Sequence, residues 1–370
     1  MPTCSLDRQD LADLARGAAF LGSGGGGDPY YNELAGIAAL DAGARYDIVP
    51  LDALEDDALV APCGWIGAPT VALEKLPSGK EALCGLRRLE TLLGRPIAAL
   101  MPIEIGGANG LAPLVAAARL GVPVVDADGM GRAFPESQMA IFNIAGLSSC
   151  PAIVTAASGA SVVIETDDNH EHERLARAAA VALGGIAHMV EYPLTGAQAK
   201  AHAIPGSLSA AVAIGAAVRE ARARGEDPFA ALYAALSATG LYAFAGELFD
   251  GKIVDLERET RGGFSIGHVR LESFDGTRNF ELEFQNENLF AWSQGAIRAM
   301  SPDIVTVMDR ETADSIATER LKYGQRVKVV GASAPPALRT PLALSIVGPD
   351  AFGRRQDYQP IETLNGWSAP

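Results

Sequence analysis

PIEIGGANGLAPLVAAARLGVPVVDADGMGRAFPE, residues 102–136, is the stretch that decides the fold class. An apolar run at residues 97–102 leads into it, a helical pattern follows at residues 110–120, and a second apolar run lies at residues 122–125. Strands that alternate with helices are typical of a mostly parallel sheet covered by helices. We therefore predict an α/β fold for this part of the chain.

The same alternation extends outward from that stretch. The elements predicted before it are a helix capped by Asp7, a helix that begins near Pro29, strands at residues 45–50 and 57–62, and a helix at residues 79–93. The elements predicted after it are two strands at residues 152–156 and 161–165, joined by a Ser-Gly turn. Together these elements predict a helix-covered sheet that ends near residue 165.

Beyond residue 165 the pattern changes. The helices predicted there lie at residues 171–184, 208–224 and 228–239, the first of them capped by Asp168 or Asn169. The strands predicted after them lie at residues 251–257, 264–274, 279–285, 304–308 and 326–330. A chain of 370 residues suits two domains. We predict an N-terminal α/β domain at residues 1–165 and a C-terminal α+β domain with an antiparallel sheet at residues 166–370.

Composition narrows the classes of partner. The net charge of -15 repels phosphate backbones and anionic lipids, so neither nucleic acid nor a membrane is an expected partner. The alanine-rich stretches are shorter than the roughly 20 residues that span a bilayer. Acidic residues near the N-terminus and four scattered cysteines without CxxC spacing predict a cytoplasmic protein with reduced thiols. Abundant Ala and Gly are compatible with a homo-oligomer.

The run GSGGGGDPY at residues 22–30 lies between two predicted helices. Glycines let consecutive backbone N–H groups turn toward one bound anion, so the run predicts an anion-binding loop. A flexible connector between helices is the alternative interpretation. No Gly-Lys-Ser/Thr follows and a helix precedes the run, which argues against a P-loop and a dinucleotide fingerprint.

Acidic side chains follow two predicted strands of the deciding stretch. Glu104 comes after one strand, and Asp126 and Asp128 come after the next. The carboxyl ends of parallel strands meet at one edge of a sheet, where open α/β sheets bind ligands. Arg132 is predicted to neutralise one of these acids or to hold a substrate carboxylate. The alternative is that the acids cap helices and brace loops.

Other polar residues carry weaker signals. Cys63 follows a strand but lacks a histidine in a suitable local context, which argues against a nucleophile. The imidazoles of His170 and His172 do not share a helix face, so a solvated helix start is expected there. Asn286 and Glu287 follow an apolar strand and are predicted either to form a polar turn or to reach an interdomain cleft. Three further histidines leave a metal site open: His188, His202 and His268.

These segments resemble the S-methyl thiohydantoin desulfurase family, in the family's order across nearly the whole chain. The resemblance is carried by GSGGGGDPY, GAPTVALEK, EIGGANGLAPL, VVDADGMGRAFPE, IPGSLS, GGFSIG, FQNENL, LKYGQRV and GPDAFG. It implies an N-terminal desulfurase-type domain that ends near residue 165 and a smaller C-terminal domain. It also implies a hydrolase that removes sulfur, as sulfide or methanethiol, from a thiohydantoin-like five-membered ring to give a hydantoin.

Such a reaction needs a base that activates water and an acid that assists the departing thiol. From the residues we predict Asp128 or Glu104 as the base. Asp126 is predicted as its partner, and Glu136 as a brace behind them. A divalent metal held by the same acids would serve the same purpose by lowering the pKa of water, so a metal-assisted mechanism stays open.

Substrate contacts are predicted from donor groups. Arg132, or the loop amides, would hold an acidic substituent on the ring. Asn109 would stabilise charge that develops on a ring nitrogen. The loop amides in question belong to Ser23, Gly24, Gly25 and Gly26.

Two other classes of function remain open. A non-catalytic subunit that binds a cyclic amide for a hydantoinase or oxoprolinase-type enzyme would not turn over ring substrates alone. A nucleotide-dependent enzyme would use the glycine-rich loop, but no nucleotide is expected because the lysine and the preceding strand are lacking.

Overall fold

The computed structural model of the chain describes residues 4–72 and 74–368. In chain order its strands are β1 (Cys4–Ser5), β2 (Asp47–Val49), β3 (Leu59–Gly67), β4 (Ala99–Pro102), β5 (Val124–Val125), β6 (Ala127–Asp128), β7 (Ala152–Thr155), β8 (Ser161–Ile164), β9 (Ile186–Val190), β10 (Leu194–Thr195), β11 (Ile204–Pro205), β12 (Ala245–Arg261), β13 (Phe264–Glu272), β14 (Asn279–Gln285), β15 (Glu287–Ser293), β16 (Ala296–Met300), β17 (Ile304–Asp309) and β18 (Arg326–Ala332).

The α-helices are α1 (Arg8–Leu21), α2 (Tyr30–Asp41), α3 (Pro69–Ala72), α4 (Glu81–Leu93), α5 (Ala112–Leu120), α6 (Ile141–Ile144), α7 (Asn169–Ala182), α8 (Gly196–His202), α9 (Ser207–Arg224), α10 (Pro228–Ala238), α11 (Pro341–Val347) and α12 (Ile361–Asn365). No helix within the described part of the chain is both long and apolar enough to cross a bilayer.

Two predicted helix starts are confirmed by their caps. The Asp7 carboxylate accepts a hydrogen bond from the Asp10 N–H at 2.8 Å, and the Asp10 carboxylate accepts one from the Asp7 N–H at 2.9 Å. Each side chain satisfies a backbone donor that the first helical turn leaves unpaired. Asp168 caps α7 by accepting from the His170 N–H at 2.8 Å.

The first sheet confirms the predicted α/β fold. Strands β2, β5, β4 and β3 are parallel neighbours at its centre. Antiparallel strands extend it, so the whole sheet is mixed, in the order β1-β2-β5-β4-β3-β9-β7-β8, with β10 also paired to β3. The division at residue 165 stays a prediction; β9 and β10 follow that residue and hydrogen-bond to strands that precede it.

The second sheet confirms the predicted antiparallel architecture. Its seven strands follow the order β16-β15-β14-β13-β12-β18-β17. The strand predicted at residues 251–257 is the middle of a much longer strand, β12, which pairs with β13 on one side and β18 on the other. Strands β15 and β16 were not predicted.

Two helices from different parts of the chain cross at backbone contact. A Cβ atom at Gly17 of α1 would lie 1.9 Å from the carbonyl oxygen of Ala211 in α9. A Cβ atom at Gly215 of α9 would lie 1.8 Å from the carbonyl oxygen of Asp13 in α1. Glycine is required at both positions because any side chain would push the helices apart. This crossing fixes the end of α1, and with it the glycine-rich run.

The glycine-rich run is hydrogen-bonded to the second sheet. The Ser23 hydroxyl accepts from the Val305 N–H at 3.0 Å, and the Ser23 carbonyl accepts from the Asn288 N–H at 2.7 Å. The Gly24 carbonyl accepts from the Thr318 N–H at 2.8 Å. The run is therefore fixed to the second sheet through its backbone and the Ser23 hydroxyl.

Candidate active site

A cleft lies where the two sheets meet, and we call it the cleft throughout. It is bounded by residues 26–28 of the glycine-rich run, the ends of β3 and β4, and the turn between β14 and β15. Its volume is about 120 Å³, while one water molecule occupies about 10–15 Å³ on that measure. The polar residues that line it are Asp28, Tyr31, Asn32, Lys75, Glu81, Glu104, Asn109, Glu136, Ser137, Glu173, Arg177, Glu191, Asn286 and Glu287.

Glu104 is held rigidly at the cleft wall. Its side chain is 4 % exposed. One carboxylate oxygen accepts from the Asn109 amide at 2.7 Å, and the other accepts from the Phe134 N–H at 2.9 Å. Asn109 is fixed in turn, because its amide oxygen accepts from the Trp65 N–H at 2.6 Å. Asn109 thus orients Glu104, while its predicted role toward a ring nitrogen stays a prediction.

Glu287 reaches the cleft from the second sheet. The tight turn before it places Asn286 in the left-handed region, at φ 57°, a conformation that asparagine tolerates better than most residues. The Asn286 amide oxygen accepts from the Ser265 N–H at 2.8 Å and fixes the turn. One oxygen of Glu287 accepts from the Gly26 N–H at 3.0 Å, and the other has no hydrogen-bond partner among the residues that the structure describes.

Glu104 and Glu287 form a buried pair of acids. Burial raises the pKa of Glu104 well above its ordinary value, and the charge of Glu287 raises it further. Burial also raises the pKa of Glu287, although the Gly26 N–H and the charge of Arg132 act in the opposite direction. Since two neighbouring buried carboxylates repel each other, the pair retains a proton at pH values where a single exposed glutamate has lost it.

The loop amides do not form the predicted site for a substrate anion. The Ser23 side chain is fully buried and its hydroxyl donates to main-chain carbonyls. The Gly25 N–H donates to the Gly22 carbonyl at 2.8 Å, and the Gly26 N–H donates to the protein's own Glu287 carboxylate. Gly24 and Gly25 do not line the cleft, whereas Gly26 does.

The side chains of Asp126 and Asp128 do not pair with each other as predicted, because they bind different elements. Neither side chain lines the cleft. Asp126 accepts from the Ser209 N–H at 3.0 Å and from the Ser209 hydroxyl at 2.5 Å. One oxygen of Asp128 accepts three N–H donors, from Ile105 at 2.8 Å, Met130 at 3.0 Å and Gly131 at 2.7 Å. Both acids brace loops, the alternative interpretation of the sequence, and their predicted catalytic roles stay predictions without support from their positions.

Arg132 neither neutralises these aspartates nor faces the cleft. It is fully buried, and its guanidinium donates to the carbonyls of Ala133 at 2.9 Å, Pro302 at 2.9 Å and Asp303 at 2.6 Å. A planar guanidinium satisfies several such carbonyls at once, which explains an arginine at this position. Glu136 does line the cleft, where it accepts a hydrogen bond from the Gln138 amide.

Two family models match most of the chain, including the residues that line the cleft. A family model described as the S-Me-THD-like N-terminal domain matches residues 9–166, and one described as the S-Me-THD-like C-terminal domain matches residues 167–361. The chain belongs to the S-Me-THD-like family. The predicted resemblance to the S-methyl thiohydantoin desulfurases is therefore confirmed.

The crystal structure of a Chromobacterium violaceum protein, a structural genomics target, is similar to this S-Me-THD-like chain. The two share 25 % sequence identity with a TM-score of 0.80, over 97 % of this chain and 100 % of that one. No curated protein matches the sequence.

The sequence did not predict a second group of polar residues that lines the cleft of this S-Me-THD-like protein. The Ser137 hydroxyl is hydrogen-bonded to the Glu191 carboxyl, and the Ser137 N–H donates to Glu173 at 2.9 Å. Glu173 also pairs with Arg177 at 2.5 Å. Glu191 follows β9, whose sequence IAHMV lacks the alternation that marks a strand. A prediction of β9 would have placed Glu191 at the end of a strand, just as the predicted strand at residues 97–102 placed Glu104.

The remaining weak signals have definite positions. Cys63 is buried, and burial raises the pKa of its thiol to about 12, which leaves the thiol protonated at neutral pH. The expected solvated helix start is wrong for His172, which is fully buried, and right for His170. Within residues 4–72 and 74–368, no group of three or more His, Cys, Asp or Glu side chains is arranged to hold a metal ion. This holds also for the surroundings of His188, His202 and His268.

Proposed function

We propose that this protein hydrolyses the carbon–sulfur bond of an S-methyl thiohydantoin-type ring in the cleft, giving a hydantoin and methanethiol, or sulfide from the unmethylated ring. The single observation that carries the proposal is the buried pair of Glu104 and Glu287 in a cleft of this family. Two carboxyl groups that share a proton can accept a proton from water and donate one to a ring nitrogen in the same step.

The reaction needs water to attack the ring carbon between the two nitrogens. The ionised member of the pair takes a proton from the water as its oxygen bonds to that carbon, and the protonated member gives a proton to the adjacent ring nitrogen. In the tetrahedral intermediate the carbon–sulfur bond then breaks, and its electron pair and one proton leave with the sulfur. Asn109 and the Phe134 N–H keep Glu104 in one orientation throughout.

The walls of the cleft suit a small planar ring. Trp65, Ile103, Met130 and Phe134 supply apolar surface beside the acids. A volume of about 120 Å³ corresponds to roughly ten water molecules, which is enough for a five-membered ring with a short substituent. Such pockets bind through apolar contact and use a few polar groups to fix orientation.

An acidic substituent on that ring would meet Lys75. The Lys75 ammonium donates to the carbonyls of Leu183 at 3.2 Å and Ile186 at 3.5 Å. An ammonium has three N–H donors, so one more contact can be made to a carboxylate. The other cation of the cleft, Arg177, donates to Glu173, Gly263 and Pro135 and is less available.

The test is release of thiol or sulfide from S-methyl thiohydantoin and thiohydantoin propionates by the purified protein, with and without chelator. We expect turnover by the wild type, with Glu104→Gln and Glu287→Gln each lowering kcat at least 100-fold, since acid–base groups contribute about 10²–10⁴-fold. Glu55→Gln, an exposed position, is the control and keeps activity.

Three other results would redirect the proposal. Turnover that survives both substitutions with folding intact would refute the carboxyl pair. No turnover on either ring, with or without added divalent metals, would favour a non-catalytic subunit that binds a cyclic amide. Loss of activity on chelation would assign part of the water activation to a metal.

A further inference from the structure

A second acid faces the cleft from the other side of β3. Strands β4 and β9 both pair with β3, and Cys63 of β3 is in register with Pro102 of β4 and with Val190 of β9. Glu104 follows Pro102 by two residues and Glu191 follows Val190 by one. Neighbouring strands lie about 4.8 Å apart, so β4 and β9 are separated by roughly 10 Å. A five-membered ring fits between acids at that separation.

Glu191 is hydrogen-bonded to Ser137 at the wall of the cleft. The Glu191 side chain is 1 % exposed, and its carboxyl is hydrogen-bonded to the Ser137 hydroxyl. Besides this hydroxyl, two main-chain groups hold Ser137: its N–H donates to Glu173 at 2.9 Å, and its carbonyl accepts from the Tyr192 hydroxyl at 3.3 Å. Both Ser137 and Glu191 line the cleft. Ser137 and Glu191 are therefore held together at the wall of the cleft.

The surroundings of Glu191 keep it protonated. Burial, together with the nearby charge of Glu173, raises its pKa to about 8, although the hydrogen bond from Ser137 and the charge of Arg177 act in the opposite direction. Burial lowers the pKa of His172, whose Nδ1 lies 3.9 Å from Glu191, to about 4, so that imidazole carries no charge at neutral pH. The titratable and charged groups around Glu191 are Cys63, Cys150, His172, Glu173, Arg177 and Tyr192.

We propose that Ser137 and Glu191 form a proton relay to the departing sulfur, an inference that rests on the proposed function. As the carbon–sulfur bond breaks, its electron pair goes to sulfur, the Ser137 hydroxyl gives its proton to the sulfur, and Glu191 gives its proton to Ser137. The Glu104–Glu287 pair, which has taken one proton from water and given one to the ring nitrogen, keeps its proton count. The hydroxyl proton of the tetrahedral intermediate passes to solvent as the carbonyl forms, and Glu191 is reprotonated from solvent. Ser137 touches the leaving group and is a catalytic residue; Glu191 acts through it.

The relay is tested by changing the leaving group. An S-(4-nitrophenyl) ring releases a thiolate that is stable without a proton, whereas an S-methyl ring needs the proton. We expect Ser137→Ala and Glu191→Gln to lower kcat for the S-methyl ring at least 100-fold and for the nitrophenyl ring less than tenfold. Glu104→Gln is the matched comparison, and it should lower kcat for both rings alike, because both require attack by water.

The pH profile is a second readout that a bracing role would not move. For the wild type, the ratio of kcat on the S-methyl ring to kcat on the nitrophenyl ring should fall as the pH rises through the pKa of Glu191, since loss of the proton held by the Glu104–Glu287 pair lowers kcat on both rings alike. Equal losses on both rings would overturn the relay, and a complete loss on both in Ser137→Ala would indicate a serine nucleophile instead. No turnover of either ring by the wild type would be a different failure, since it refutes the proposed function itself.

Discussion

Substituting Glu191 should change how the stability of the protein depends on pH. Burial raises the pKa of Glu191 from its ordinary value of 4.5 to about 8. The folded state then holds a proton that the unfolded state has released, so this group's contribution is fully present below pH 4.5 and is lost as the pH rises through 8. At about 1.4 kcal/mol for each pKa unit, the loss amounts to about 5 kcal/mol.

Glu191→Gln removes that titration and keeps the shape of the side chain. The assay is urea unfolding at several pH values between 5 and 9, with the difference in midpoint between variant and wild type plotted against pH. We expect the stability of the variant relative to the wild type to increase as the pH rises toward 8 and to level off above it. Glu55→Gln, at an exposed position, should follow the wild type throughout. A Glu191→Gln curve parallel to that of the wild type would refute a protonated, buried Glu191.

Three further predictions concern the loop, the buried arginine and the mouth of the cleft. Gly25→Ala would place a Cβ 2.1 Å from the Glu287 carboxylate, and we expect it to cost about 1–3 kcal/mol of unfolding free energy and to lower kcat. Gly43→Ala is strained by its φ of 92° but meets no atom of the described residues within 4 Å, so it should lose stability and keep kcat. Arg132→Ala should destabilise the protein by about 3–5 kcal/mol in urea unfolding, because several buried carbonyls lose their donor; a changed KM with wild-type stability would contradict this. Lys75→Ala should raise KM for the propionate-bearing ring but not for the unsubstituted ring, and equal changes for both would count against a carboxylate contact.

Sequence patterns predicted elements whose signals are local. Asp7 and Asp168 cap their helices as predicted because a cap depends on residues within one turn. Glu104 was placed correctly after a strand because the apolar run at residues 97–102 is also a local signal. Strand β9 was missed because its five residues show no alternation, and β15 was missed because the polar turn at Asn286 hid the start of a strand.

The aspartate pair shows where local patterns fail. Residues two apart share a face only if the strand between them is continuous. Here the strand partner changes at Asp126, since the Asp126 N–H donates to the Val49 carbonyl of one sheet while Asp128 pairs with Ile204 of another. The two side chains therefore bond to different elements. No sequence pattern over five residues records such a change of partner.

The composition of the glycine-rich run is explained by the acid that comes from the other sheet. The Glu287 carboxylate occupies the space where a Cβ at Gly25 would lie, and it accepts the N–H of Gly26. The Gly26 position is also closed to a side chain, since a Cβ there would lie 2.5 Å from the Gly106 carbonyl. The loop therefore binds one of the protein's own carboxyl groups, whereas the predicted binding of a substrate anion by its amides stays a prediction. Because Glu104 follows β4 of the first sheet and Glu287 begins β15 of the second, the proposed acid pair exists only when the two sheets pack together.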